Sequence, residues 1–293
     1  MIQNELHPAS TATLHPATQM GMLALTVADL ERALRFYQDV LGFQLLTQEA
    51  TRATLGAGDT PLLELVGQAG ARPKPARATG LYHFAILLPS RADLACALRR
   101  LAEMHYPLSG YADHLVSEAL YLDDPDGNGI EIYRDRPRAE WPRVDGQIRM
   151  ASDPIDFESL LGELARDPRP WAGLPAGTRL GHMHLQVGDI PQAQAFYHDV
   201  LGFDVVVTLP GALFVSAGGY HHHLGLNTWQ SRGAGPAPAG SAGLREFSIV
   251  VPDAAELARV AARLTAAGVP FVPAAQSLTL ADPWAHQIRI SIA

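Results

Sequence analysis

The chain repeats itself, and no other feature limits its fold so strongly. The run Val27-Ala28-Asp29-Leu30, followed by Phe36-Tyr37-Gln38-Asp39-Val40-Leu41-Gly42-Phe43, returns as Val187-Gly188-Asp189-Ile190, followed by Phe196-Tyr197-His198-Asp199-Val200-Leu201-Gly202-Phe203. LYHFAILLP at 81–89 returns as LREFSIVVP at 244–252, and Asp124-Pro125 returns as Asp282-Pro283. All three spacings are about 160 residues. Copies of that length are each large enough to carry a core of their own.

Each copy divides again. A unit opens with an alternating apolar strand such as Leu23-Ala24-Leu25-Thr26-Val27. An Asp then caps a helix with apolar residues at helical spacing, here Leu30, Ala33, Leu34 and Tyr37. Gly42 ends that helix, because a residue without Cβ suits the left-handed C-cap. Three short strands follow. The pattern predicts an α+β protein of four βαβββ units, at about 20–68, 80–135, 180–230 and 243–293. The segment 136–178 is richer in charge and proline and reads as a linker with one short helix near Phe157 to Leu164.

Composition removes several classes of function. Apolar residues make up 47% and charged residues 18% of the 293 residues, as in globular domains. The net charge of -8 and the lack of a long basic run leave no nucleic-acid footprint. The single cysteine, Cys96, excludes an intrachain disulfide. The opening stretch MIQNELHPASTATLHPATQ lacks the apolar core of a secretion signal. No apolar run approaches the roughly 20 residues that span a bilayer. The expectation is a cytoplasmic protein without nucleic-acid or membrane partners. A homo-oligomer stays open, including one in which units pair between chains.

FYQDVLGF and FYHDVLGF after V-x-D, together with DPDGNGIEIY at 124–133, resemble the vicinal oxygen chelate superfamily. That group spans glyoxalase I, bleomycin and fosfomycin resistance proteins and extradiol ring-cleaving dioxygenases. LYHFAILLP, SEALYLDDPDGNGIEIYRDRPR and SAGGYHHHLGLNTW are similar, more narrowly, to bacterial two-domain catechol 2,3-dioxygenases. The resemblance covers nearly the whole chain. It implies two glyoxalase-like paired-module domains: 18–135 holding units one and two, and 179–293 holding units three and four, joined by the linker 136–178.

The resemblance also implies cups whose metal ligands come from the first strand of a unit and from the last strand of a unit. The first-strand slot holds Met22, His83, His182 and Glu246 in units one to four. The last-strand slot holds Glu131 in unit two and Arg289 in unit four. Units one and two together would give Met22, His83 and Glu131; units three and four would give His182, Glu246 and Arg289. Neither is a good hard-metal set, and arginine has no free lone pair. Pairing units two and three gives His83, Glu131 and His182, the two-histidine, one-carboxylate set of non-haem iron(II) sites. Pairing one with four leaves Met22, Glu246 and Arg289, which should hold no metal. Strand phase agrees: Phe84 and Ile86, Ile130 and Ile132, and Met183 and Leu185 form the apolar faces, so the three proposed ligands point the other way.

A lone strand histidine is most often a hydrogen-bonded structural residue, and the trio gains weight only from its repeat-equivalent slots. Tyr121, three residues before Asp124-Pro125, is a half-buried strand tyrosine on the plain reading. By resemblance it hydrogen-bonds the substrate. By resemblance again, His222 of the run His221-His222-His223 matches the acid–base histidine, although phase leaves His221 and His223 open. His184 and His114 are candidate pocket residues. DPDGNG at 124–129 reads as a tight hairpin turn, since it lacks the other carboxylates of a calcium loop.

The function implied is an extradiol dioxygenase that cleaves a catechol-like aromatic diol with O2, as in the degradation of aromatic compounds, on Fe(II) or alternatively Mn(II). The alternatives are a glyoxalase-type isomerase or thiol transferase on the same cup, and a metal-free small-molecule-binding or resistance protein.

Overall fold

The structure, a computed structural model, describes residues 13–293. Much of the opening stretch read for a secretion signal therefore lies outside the described residues. The four units appear in order. Unit one comprises β1 (Gln19–Val27), α1 (Leu30–Arg35), β2 (Gln44–Gln48), β3 (Arg52–Ala57) and β4 (Thr60–Gly67). Unit two comprises β5 (Gly80–Leu87), α2 (Arg91–Glu103), β6 (Gly110–Asp113), β7 (Ser117–Asp123) and β8 (Gly129–Asp135). The linker carries β9 (Arg143–Val144), β10 (Gln147–Ile148) and α3 (Phe157–Arg166). Unit three is β11 (Arg179–Gln186), α4 (Ile190–Gln194), β12 (Asp204–Leu209), β13 (Ala212–Ser216) and β14 (Leu224–Asn227). Unit four is β15 (Gly243–Val251), α5 (Ala254–Ala266), β16 (Phe271–Pro273), β17 (Ser277–Ala281) and β18 (Gln287–Ile292).

The helix starts follow from their caps. The side chains of Asp29, Ser90, Asp189 and Asp253 each accept from a backbone N–H three residues on. The helices of units one and three do not stay α-helical to their glycine. They widen into π-turns at Phe36–Val40 and Ala195–Val200, which bury Phe36, Tyr37, Phe196 and Tyr197. Gly42 and Gly202 then take φ of +79° and +92°.

The sheets do not follow the sequential halves. One eight-stranded sheet runs β16-β17-β18-β15-β1-β4-β3-β2, so unit four closes it with unit one. The other runs β12-β13-β14-β11-β5-β8-β7-β6, joining units three and two. The seams are the antiparallel pairs β1–β15 and β11–β5, and both lie within one chain. A division into 18–135 and 179–293 therefore cuts each curled sheet at its seam. Consecutive units are joined through the helix-bearing faces of the sheets. Tyr37 of unit one donates to Asp124 Oδ2 of unit two at 2.9 Å, and Tyr197 of unit three donates to Asp282 Oδ2 of unit four at 2.8 Å. One continuous apolar core draws on all four units, with Leu25, Phe84, Leu185 and Phe247 among its fully buried members.

The hairpin reading of 124–129 describes the link between β7 and β8. The Asp124 carboxylate accepts from the Asp126 and Asn128 amides, the Asn128 side chain and Tyr37, so protein donors occupy its oxygens. No helix among the described residues is long and apolar enough to cross a membrane.

Candidate metal centre

The site is built on three adjacent strands, and register decides it. In β5, Ala85 lies opposite His182 of β11 on one side and opposite Glu131 of β8 on the other. His83 stands two residues from Ala85 and therefore on the same face. The small Ala85 leaves the space above it to the three larger side chains. His182 Nε2 lies 3.0 Å and His83 Nε2 3.1 Å from the same oxygen, Glu131 Oε2. One nitrogen or oxygen from each residue falls within 4.8 Å of the other two, and all three residues are buried.

The donor set fits a divalent cation. Burial lowers His182 to about 4, so its ring is neutral at pH 7 and has a lone pair. Burial works against ionisation of Glu131, but the adjacent His182 and His83 outweigh it and hold the carboxyl well below its usual range. His83 Nε2 is buried and makes no hydrogen bond of acceptable geometry. A buried carboxylate between two imidazoles, each with an idle ring nitrogen (His83 Nε2 and His182 Nδ1), is a set that a cation would complete.

Of the residues singled out in the sequence, His83, Glu131, Tyr121, His114, His184 and His222 line one cavity of about 890 Å³, while His182 is buried against Glu131 and His222. Tyr121 is the cross-strand partner of Glu131, and its ring lies 5.6 Å from that of His83. Burial and then the Glu131 charge push its phenol well above the usual value, so it keeps its proton. Tyr121 Oη is 2.7 Å from His114 Nε2, and His114 Nδ1 is 2.6 Å from the Ala151 carbonyl. A carbonyl only accepts, so His114 donates from Nδ1, and in the neutral ring Nε2 accepts the Tyr121 proton. His184 is held among Tyr82, His83, Phe214 and Trp229. Gly225 makes that room: a Cβ there would lie 2.9 Å from the His184 ring.

The triple histidine separates into three environments. His222 packs on His182 with ring centroids 4.1 Å apart, and burial puts its pKa well below the ordinary value. His221 donates from Nε2 to Asp135 Oδ1 at 2.8 Å, while its Nδ1 lies 2.9 Å from His222 Nδ1. His223 turns inward, where its Nδ1 accepts from the Ala217 amide.

Two features were not read from the sequence. Asp135 anchors the loop by accepting from both His221 and Tyr220, and Tyr220 in turn meets Tyr133 at 2.7 Å. The signal was present: residues 131, 133 and 135 of one strand share a face. The second is the linker, whose residues 147–152 wall the cavity. Its strands are two residues long and carry no periodicity to detect.

The site on the other sheet is different. Glu246 and Arg289 face each other there as an ion pair of 2.8 Å, and Met22 is 37% exposed.

Comparisons with known proteins agree with this architecture. The family model for the glyoxalase/bleomycin resistance protein/dioxygenase superfamily matches residues 19–132 and 179–279. The chain is 49% identical over 276 residues to a catechol-2,3-dioxygenase of Bacillus subtilis (strain 168), covering 92% of this chain and 96% of that one. Among solved structures, a candidate dioxygenase from Bacillus subtilis subsp. subtilis str. 168 aligns with a TM-score of 0.64 at 15% identity, covering 96% of this chain and 86% of the other. Glyoxalase I from Zea mays aligns with a TM-score of 0.58 at 17% identity, covering 94% and 92%. At those identities the two structures bear on fold alone.

Proposed function

Since this chain belongs to the glyoxalase/bleomycin resistance protein/dioxygenase superfamily, we propose that its cavity is the active site of a metal-dependent extradiol dioxygenase that opens a catechol-like ring with O2. The observation that carries the reading is the convergence of His83 Nε2 and His182 Nε2 on Glu131 Oε2, with His83 and Glu131 in the cavity's wall. The 49% identity to a catechol-2,3-dioxygenase supports the choice of reaction.

His83, Glu131 and His182 would hold the metal, and two imidazoles with one carboxylate suit iron(II), with manganese(II) as the other candidate. A divalent ion bound there supplies the positive charge that acidifies the diol hydroxyls and the open positions that a chelating diol and O2 require. The chain supplies proton handling and orientation. His222 is neutral at pH 7, and its Nδ1 is engaged by His221. Its other nitrogen is the atom left to take a hydroxyl proton and to return it later. The depressed pKa makes His222 a weaker base than an ordinary histidine, which favours the return of the proton. Tyr121 remains a phenol and would donate to a substrate oxygen, turning its proton from His114 when the diol arrives. Asp135 and Tyr220 position His221, and through it His222. The buried walls exclude water from the reacting oxygens.

Anaerobic loading of tag-free protein with Fe(II), followed by catechol and O2, tests the reading. A yellow semialdehyde product, at one metal per chain, is the expected result. Firmly bound metal with no turnover across several catechols would overturn it.

A further inference from the structure

The cavity is larger than a catechol needs, and two sides of it away from the proposed ligands carry apolar side chains. We infer that the site takes catechols carrying a neutral apolar substituent, alkyl or aryl, and discriminates against substituents with a carboxylate or another anion. The inference rests on the extradiol reading and deepens it by naming the substrate class.

Three observations carry it. The first is size. A space of about 890 Å³ lies toward the upper end of the roughly 300–1,000 Å³ typical of pockets for drug-sized ligands. A bare diol ring held against His83, Glu131 and His182 would leave most of it empty.

The second is the lining away from those residues. Ile148 and Met150 of the linker form one side, and Val207, Leu209 and Phe214 of unit three another. At the rim Tyr82, Leu209 and Trp229 remain 39%, 50% and 53% exposed. Scattered exposed apolar side chains are ordinary; three on the rim of one cavity form a patch that an apolar ligand would cover. Tyr82 and Trp229 meet edge to face, with centroids 5.4 Å apart, and so present a continuous aromatic rim.

The third is charge. The fixed charges in the wall are Glu131, Asp123 and Arg149. Arg149 is exposed, so water screens its charge, while Glu131 is buried. A carboxylate on the substituent, directed away from the metal that the diol would occupy, would lose its hydration without gaining a buried cationic side chain, and that loss is expensive.

The test is a substituent series on the Fe(II)-loaded protein: catechol, then 3- and 4-substituted methyl, propyl and phenyl catechols, against 3,4-dihydroxybenzoate and 3,4-dihydroxyphenylacetate. For the better-placed series, kcat/KM is expected to rise about fourfold for each methylene that reaches the wall. The carboxylates should fall at least about tenfold below neutral compounds of similar size. Leu209→Arg, at a half-exposed rim position where folding tolerates it, should raise kcat/KM for the carboxylates at least about fivefold relative to the propyl compounds. A flat series, a preference for carboxylates in the unmodified protein, or no change of preference in the variant would each overturn the inference.

Equilibrium binding of phenol and 4-phenylphenol, which need no ring cleavage, separates the two readings. Tighter binding of 4-phenylphenol without turnover of any catechol retains the apolar-ligand inference and removes the dioxygenase. Catechol turnover without substituent preference removes the inference alone.

Discussion

The two curled sheets descend from the same repeat, yet position for position they hold different chemistry. Where the sheet of units two and three has His83, Glu131 and His182, the sheet of units one and four has Glu246, Arg289 and Met22. The backbone relation is preserved. Ala85 lies between His182 and Glu131, and its counterpart Ser248 is paired with Arg289. In one cup a single buried carboxylate faces two nitrogens that can each offer a lone pair. In the other the carboxylate faces a guanidinium that can only donate, and the pair satisfies itself. The surroundings differ as well. The linker and the triple-histidine loop line the first cup, while the slot residues of the second stay partly exposed. Duplication supplied two equivalent scaffolds; side-chain identity and the cover over each decide which can be a site.

Moving one residue across that comparison should have the largest effect. Glu131→Arg places the second cup's residue in the first and removes the only carboxylate of the set. Expected are loss of retained metal by elemental analysis and a fall in ring cleavage of well over 100-fold, since even an outer partner of a metal ligand is worth about 10–100-fold. Stoichiometric metal in that variant would show the ligand set to be wrong. The reverse exchange, Met22→His with Glu246→His and Arg289→Glu, should give a second equivalent of bound metal per chain. Its affinity should be the weaker one, because the second cup is open to water.

Next comes the support for His222. Asp135 has no counterpart of its kind in the other sheet, where Ala293 lies four residues after Arg289. Asp135→Asn keeps the shape but weakens the anchor of His221. A drop in kcat of about 10–100-fold is expected, by analogy with outer-shell partners, with KM and metal content little changed. A parallel loss of metal would assign Asp135 to the centre itself rather than to positioning.

These features were not equally legible in the sequence. The slots of His83, Glu131 and His182 could be read because strand phase and the repeat are local patterns, and the ligand logic also favoured the pairing of unit two with unit three. Tyr37 and Tyr197 were legible as helix residues facing a core, but their partners Asp124 and Asp282 were not, because each lies more than eighty residues away. The π-turns escaped for a related reason: tertiary packing widens a helix whose apolar spacing still reads as α. Residues 147–152 were hidden because a wall segment whose regular structure is a two-residue strand leaves no period to find.

The shared features of the two halves should respond alike. Tyr37→Phe and Tyr197→Phe each remove a buried hydrogen bond to a carboxylate, worth about 1.5–3 kcal/mol. Both should lower the midpoint of chemical unfolding by similar amounts. A large inequality would mean that the latches between consecutive units are not equivalent, and that the repeat symmetry fails on the helix-bearing side as it does in the cups.

The smallest effect is expected at the ion pair of the second cup. Arg289 and Glu246 keep 46% and 24% of their side-chain surface exposed, so solvent screens the attraction and ordering two flexible side chains offsets part of it. A double-mutant cycle through Arg289→Ala and Glu246→Ala should give a coupling of about 0–1 kcal/mol. The value matters because of what each cup leaves behind. Removing Arg289 exposes Glu246 to water at little cost, whereas removing a partner of Glu131 strands a carboxylate that is almost wholly buried. A coupling of several kcal/mol at Arg289–Glu246 would show that the second cup is closed in solution by something beyond this chain. The contrast between an open cup and a covered one would then have to be redrawn.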